Sequence, residues 1–84
     1  MGRAERIRPK RLAGKLLAIR ENLGLTQPEL IKLLKVKGMR LYPSSVSQYE
    51  TGKREPPLVV LLKYARLAGV PMDVLVDDKM DLPR

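Results

Sequence analysis

Residues 43–56 read P-S-S-V-S-Q-Y-E-T-G-K-R-E-P, and the rest of the chain is organised around them. Val46 and Tyr49 are three positions apart, so a helix would place both on one face. The polar residues of the stretch then point outward or flank that face: Ser44, Ser45, Ser47 and Gln48. Gly52 is predicted to end the helix, and two basic residues follow it. A short helix that has one apolar edge and is followed by two basic residues has the right size to enter a DNA groove.

The spacing of the other apolar residues predicts four more helices, so we expect an all-α domain of five helices. The 84 residues include no Phe or Trp, which leaves mainly Leu, Val, Ile and Ala to build one core. The further helices are predicted over residues 10–23, 26–34, 58–68 and 72–77. Their expected buried residues are Leu12, Leu16, Ile19 and Leu23; Leu30, Leu33 and Leu34; Leu58, Leu61, Leu62, Ala65 and Ala68; and Leu75.

Local signals fix several helix ends. Thr26 and Glu29 have the spacing of a capping box, in which each side chain accepts a hydrogen bond from the other residue's backbone N–H. Pro43 suits the first position of a helix, where its fixed φ is already helical. Gly24 and Gly69 follow apolar stripes, and glycine adopts the left-handed conformation of a helix end most easily.

The domain is expected to span residues 10–77, with different segments on either side. Residues 1–9 carry Arg3, Arg6 and Arg8 and no amphipathic pattern, which predicts a flexible basic arm. That arm either follows DNA phosphates or is a solvated tail. Residues 78–84 are acidic and then apolar, and we expect them to fray.

The composition favours a polyanion as partner. The net charge is +8, and residues 1–63 hold fourteen Lys and Arg against five Asp and Glu. The alternative is that the charge serves solubility alone. Without Cys or His, disulfides, common zinc sites and histidine acid–base chemistry are excluded. No apolar run approaches the roughly 20 residues of a membrane span. A cytoplasmic protein with no cofactor and no evident small-molecule ligand is expected.

Three segments occur in the order and with the helix lengths of a known family. They are K-L-L-A-I-R-E-N-L-G-L-T-Q-P-E-L from Lys15, V-S-Q-Y-E-T-G-K-R-E-P from Val46 and L-L-K-Y-A-R-L-A-G-V-P-M-D-V-L from Leu61. The chain resembles the phage-repressor, Cro-like helix-turn-helix family, also called the xenobiotic-response-element (XRE) family. The resemblance implies a repressor-like DNA-binding domain, with helices 2 and 3 forming the helix-turn-helix. The segment between these helices is about five residues longer than the usual tight turn.

The resemblance also implies roles for individual residues. An ion pair between Arg20 and Glu50 would hold helix 3 in place. Gln27, at the start of helix 2, would bind a phosphate, or it is a plain helix-start residue. Further phosphate contacts are expected from helix 3 and the loop after it, at Ser47, Lys53 and Arg54. In the long turn, where the chain departs from the family, Arg40 is expected to contact the DNA backbone as well. Lys53 and Arg54 could instead form a solvated turn that binds nothing.

Base contacts are expected from Ser44, Ser45 and Gln48. The Gln48 amide can accept from and donate to the edge of adenine in one plane, so it is the best candidate. The serines are short, and they serve equally well as capping and solvating groups. Tyr49 is expected to pack in the core.

Two other classes of function, an enzyme and a protein-interaction module, fit the sequence less well than DNA binding. The acidic residues Asp73, Asp77, Asp78 and Asp81 lack the converging rigid loop of a cation site, and no nucleophile–base pair is present, so neither a metal nor an enzyme is expected. The alternative function is a protein-interaction module on the same fold, an antitoxin or bridging adaptor, which would expose an apolar groove on helix 3. A homodimer contact is expected through the C-terminal helix and tail, at Val74, Val76, Met80 and Leu82.

Overall fold

The structure, a computed structural model, describes residues 8–83. Those residues form five α-helices and no strand. The helices are α1 (Leu12–Asn22), α2 (Gln27–Leu34), α3 (Pro43–Thr51), α4 (Leu58–Ala68) and α5 (Met72–Val76). Helix α3 packs on α1 and α2, whereas α4 packs on α1, α2 and α5. This is the all-α, five-helix architecture that the sequence predicted.

The core is aliphatic except for two tyrosines. Tyr49 of α3 and Tyr64 of α4 are both buried among Leu, Val and Ile side chains. Burial raises the pKa of the Tyr64 hydroxyl well above its ordinary value, and within residues 8–83 that hydroxyl has no hydrogen-bond partner. The other core members are Leu12, Leu16, Ile19, Leu30, Leu34, Leu41, Val46, Val60, Leu61, Ala65 and Leu75.

The predicted helix ends are confirmed where a local motif defines them. Thr26 caps α2: its Oγ1 accepts from the Glu29 N–H at 3.2 Å, and the Glu29 carboxylate accepts from the Thr26 N–H at 2.8 Å. Those bonds lower the pKa of Glu29. Gly24 follows α1 with φ +69°, and the Leu25 N–H donates to the Arg20 carbonyl at 3.1 Å, as in a Schellman motif.

Several predicted core residues are exposed instead. Leu23 is 46% exposed, Leu33 49% and Leu58 75%. One step along a helix turns the side chain by about 100°, so Leu33 lies too far around α2 from the buried Leu34. The buried face of α4 is likewise rotated from the predicted stripe, because its centre is formed by Val60, Leu61, Tyr64 and Ala65.

A lysine that the apolar pattern did not reveal joins α1 to α5. The Lys15 side chain is buried, and its ammonium group donates to the carbonyls of Val74 at 2.7 Å and Asp77 at 2.9 Å. These carbonyls belong to the end of α5, where unpaired acceptors and the helix dipole favour a cation. Lys15 lies next to Leu16 on the buried stripe of α1, and this position in the sequence could have indicated that its side chain is buried.

The segment after α5 does not fray as expected but packs on α1. The Asp78 carboxylate accepts from the backbone N–H groups of Lys10 at 2.9 Å and Arg11 at 3.0 Å, which precede α1. Arg11 also pairs with the Asp81 carboxylate, and Leu82 packs against the core. The sequence did not predict this because each contact joins residues about 70 positions apart.

No helix within residues 8–83 is long and apolar enough to cross a membrane.

Candidate nucleic-acid interface

Helix α3 presents a polar outer face. It buries Val46 and Tyr49, as predicted, and exposes Ser44 and Ser47, while Gln48 is half-buried. Its only apolar side chains besides Pro43 are therefore the two that anchor it to the core. What remains outside is a row of hydroxyl groups beside one amide, which can donate to and accept from polar groups of a nucleic acid.

Ser45 has a structural task at the start of this helix. Its Oγ accepts a hydrogen bond from the Tyr42 N–H at 3.3 Å, and the side chain is half-buried. The bond satisfies a backbone donor at the helix N-terminus. Among the three residues predicted to contact bases, Ser45 therefore has the least freedom, whereas Ser44 is exposed beside it.

The turn after α3 holds two cations at the end of the helix. Gly52 has φ +80°, a left-handed conformation that ends α3 as predicted. The chain then folds back, and the Arg54 N–H donates to the Gln48 carbonyl at 3.2 Å. Lys53 and Arg54 are both exposed, so their side chains are available to an anion.

An ion pair joins α1 to α3. The Arg20 guanidinium binds the Glu50 carboxylate through two hydrogen bonds, Nε to Oε2 at 2.6 Å and Nη2 to Oε1 at 3.0 Å. A third bond runs from Arg20 Nη1 to the Leu25 carbonyl at 2.9 Å. The Glu50 side chain is only 5% exposed and that of Arg20 19%. Donation of hydrogen bonds to the Glu50 carboxylate raises the pKa of Arg20.

Gln27 joins the same pair. Its side-chain Nε2 donates to Glu50 Oε1 at 3.4 Å, and the residue is half-buried at the first position of α2. The structure therefore brings together α1, α2 and α3 at one carboxylate. Sequence reasoning missed this link, because it treated Gln27 only as a phosphate ligand or a helix-start residue. Pro28 in the first turn removes one backbone donor beside it.

The connection between α2 and α3 is long for a helix-turn-helix. It runs over residues 35–42, against about three or four residues in the usual turn. Its cations Lys35, Lys37 and Arg40 are all exposed. The predicted phosphate contact Arg40 thus lies two residues before Tyr42, which occupies the N-cap position of α3.

The basic arm is described only in part, since Arg3 and Arg6 lie outside residues 8–83. Arg8 and Lys10 line a shallow cleft of about 150 Å³ together with Arg54 and Glu55. Residues 8–10 and the turn after α3 are therefore neighbours. Arg8 is exposed beside the turn whose cations were predicted to contact phosphate.

This arrangement defines a helix-turn-helix domain: α2 and α3 pack on each other, and α3 keeps a polar face turned away from the core. A helix-turn-helix family model matches residues 16–75, more than two thirds of the chain. The chain belongs to this family, the XRE, Cro-like helix-turn-helix proteins that its motifs resemble. No curated protein matches the chain. Family membership supports DNA binding as the general function, and the family is not usually enzymatic.

Proposed function

We propose that this protein is a sequence-specific regulator of transcription that reads the major groove of double-stranded DNA with α3. The observation that carries the proposal is the contrast between the two sides of α3. Val46 and Tyr49 anchor the inner side, whereas the outer side offers hydroxyl and amide groups and ends at two exposed cations. Groups of this kind recognise base edges and phosphates.

The residues divide into three roles. Gln48 contacts bases, with Ser44 and Ser45 beside it, and Ser45 contributes less because its Oγ already caps α3. Lys53, Arg54, Arg40, Ser47 and Gln27 contact phosphates. Arg20 and Glu50 make no DNA contact and keep α3 at a fixed angle to α1. The half-buried Gln27 amide is oriented by Glu50, which supports a link between phosphate binding and this pair.

The experiment compares Gln48→Ala with Lys53→Ala on a selected operator and on random duplex DNA at several salt concentrations. Gln48→Ala should cost about 1–3 kcal/mol on the operator and little on random DNA, because only the base contact is lost. Lys53→Ala should weaken binding to both duplexes about equally and lower the salt slope by about one, because a phosphate contact releases counterions. Equal losses from both variants on the operator alone would contradict the proposed roles.

The matched control for Lys53→Ala is Arg66→Ala, which removes a cation from the exposed side of α4. Arg66 lies on a different helix from the proposed contacts and should leave the salt slope unchanged. A drop in slope for Arg66→Ala as large as that for Lys53→Ala would show that the slope reports net charge rather than a contact.

The polar outer side of α3 also favours a DNA reader over the alternative, an antitoxin or bridging adaptor with an apolar groove on this helix.

Within the proposed function, the protein binds as a homodimer. Of the four residues predicted to form the dimer contact, Val74 is buried and Leu82 is half-buried within the domain. Val76 and Met80 are each 38% exposed, so these two are available to contact a second copy. Two copies would contact half-sites about 34 Å apart. Sedimentation of monomer alone, with and without DNA, would refute the dimer.

A further inference from the structure

The long connection between α2 and α3 forms a groove of its own, which we call the connection groove. Two adjoining depressions, of about 330 and 560 Å³, share Ile31, Met39 and Leu41 as lining residues. Leu41 belongs to the buried core, and Ile31 packs against it, so the floor of the groove is apolar and supported from below. Met39, 37% exposed, lies between the two depressions.

The rim of the connection groove is cationic. Lys35 and Lys37 line the first depression and Arg40 the second, and no acidic residue in the described part of the chain is among the lining residues of either. The groove therefore combines an apolar floor with positive charge on its edges. This combination differs from the outer side of α3, where hydroxyl groups lie beside one amide.

Lys35 adds an independent observation. Its φ is +51°, and it is the one residue other than glycine with a positive φ in residues 8–83. This left-handed position at the end of α2 favours Gly or Asn, so the chain holds a lysine there at a conformational cost. Residues in such strained conformations cluster at binding and other functional sites. Lys35 is also exposed and lines the first depression.

We propose that the connection groove binds a short segment of another protein that carries aliphatic side chains flanked by Asp or Glu. The aliphatic groups would cover Ile31, Val36 and Met39, and the carboxylates would pair with the lysines on the rim. Charge complementarity selects an acidic segment over a basic one. The apolar floor selects a peptide over the DNA backbone, because the sugar–phosphate chain has no projecting aliphatic side chain to bury in the depressions.

Occupancy of the connection groove also has a consequence for DNA binding, which rests on the proposed function. The bound carboxylates would neutralise Arg40, a cation that the proposed function places on a phosphate, and would bring negative charge close to the DNA. The acidic peptide and DNA would then compete for the protein, so the partner would release the regulator from DNA. By linkage, DNA would weaken peptide binding by the same factor.

The test selects binders from a random library of twelve-residue peptides on the wild-type protein, without DNA. We expect the selected peptides to combine Leu, Ile or Val with Asp or Glu. Binding is then followed by NMR with ¹³C-methyl methionine labelling, where Met39 reports on the groove and Met72 and Met80 report on α5 and the tail. The Met39 signal should shift with peptide, and the other two should not.

Two altered versions of the selected peptide separate the classes of ligand. Replacing its aliphatic residues by Ser, or its carboxylates by amides, should each weaken binding about tenfold or more, because each change removes one half of the recognition. If the Ser version binds as well as its parent, the connection groove is a surface for polyanions such as DNA, and the proposal is wrong. Failure to enrich acidic, aliphatic peptides overturns it as well.

Variants of the protein complete the test. Lys35→Gly removes a rim charge while relieving the left-handed backbone, so it should weaken the peptide without lowering the melting temperature. Lys37→Glu should abolish binding, whereas Arg66→Glu, the same charge change on α4, should leave it intact. Equal losses from both charge reversals would show that only net charge matters. Peptide binding is measured without DNA, so its outcome is independent of whether α3 reads an operator.

Discussion

Truncating either member of the Arg20–Glu50 pair should destabilise the protein, but by different amounts. The Glu50 carboxylate is 5% exposed and accepts from three donors, two of them on Arg20. Arg20→Ala removes those two and leaves the 3.4 Å hydrogen bond from Gln27. Removing one partner of a buried pair costs about 3–5 kcal/mol. Glu50→Ala instead leaves a guanidinium that is 19% exposed and keeps the Leu25 carbonyl, so about 1–3 kcal/mol is expected.

These losses are large for a domain of this size, because a chain of 84 residues is stable by about 4–12 kcal/mol. Urea unfolding followed by circular dichroism measures both changes, with the slope of the transition as a check on two-state behaviour. The double variant Arg20→Met/Glu50→Leu should lose less than Arg20→Ala, because it removes both charges and leaves neither unpaired. Equal single losses, or a double loss equal to their sum, would refute this account of the pair.

Three further predictions concern contacts away from the outer side of α3. Lys15→Met should lower the free energy of unfolding by about 1–3 kcal/mol in urea titrations, because two carbonyls at the end of α5 lose their donor. Thr26→Ala should cost about 1 kcal/mol in the same assay through loss of the cap of α2, and a neutral result would contradict the capping box. Asp78→Asn should lower the melting temperature at pH 7 and make it less sensitive to acid. Two backbone N–H groups at the start of α1 hold the pKa of Asp78 below its ordinary value. Its stabilising contribution is therefore complete above about pH 5 and is lost as pH falls through the lowered pKa. Asp73→Asn, at an exposed aspartate of α5, is the control, and an equal loss of acid sensitivity there would contradict the assignment.

The parts of the fold that the sequence predicted depend on short stretches of chain. A capping box needs only Thr26 and Glu29, and a helix end needs only Gly24 or Gly52 at the right place. The anchoring of α3 by Val46 and Tyr49 follows from their spacing alone. These features are local, so the backbone conformation that they require can be inferred without knowing the partner elements.

The features that escaped prediction depend on how the helices pack. The apolar pattern admits several rotations of α4, and the one that buries Tyr64 leaves Leu58 exposed. The burial of Lys15 requires carbonyls from α5, and the packing of the segment after α5 requires the N–H groups before α1 that donate to Asp78. At the candidate interface the sequence alone suggested Gln48, but the link from Gln27 to Glu50 exists only once three helices meet.

The proposal that α3 reads base sequence is checked by selecting bound sites from randomised duplex DNA with the wild-type protein and with Gln48→Ala. The wild-type protein should select a defined consensus. The variant should lose preference at one or two positions of each half-site and keep the rest. A wild-type protein that enriches no consensus, or a variant that enriches the same consensus unchanged, would contradict the claim.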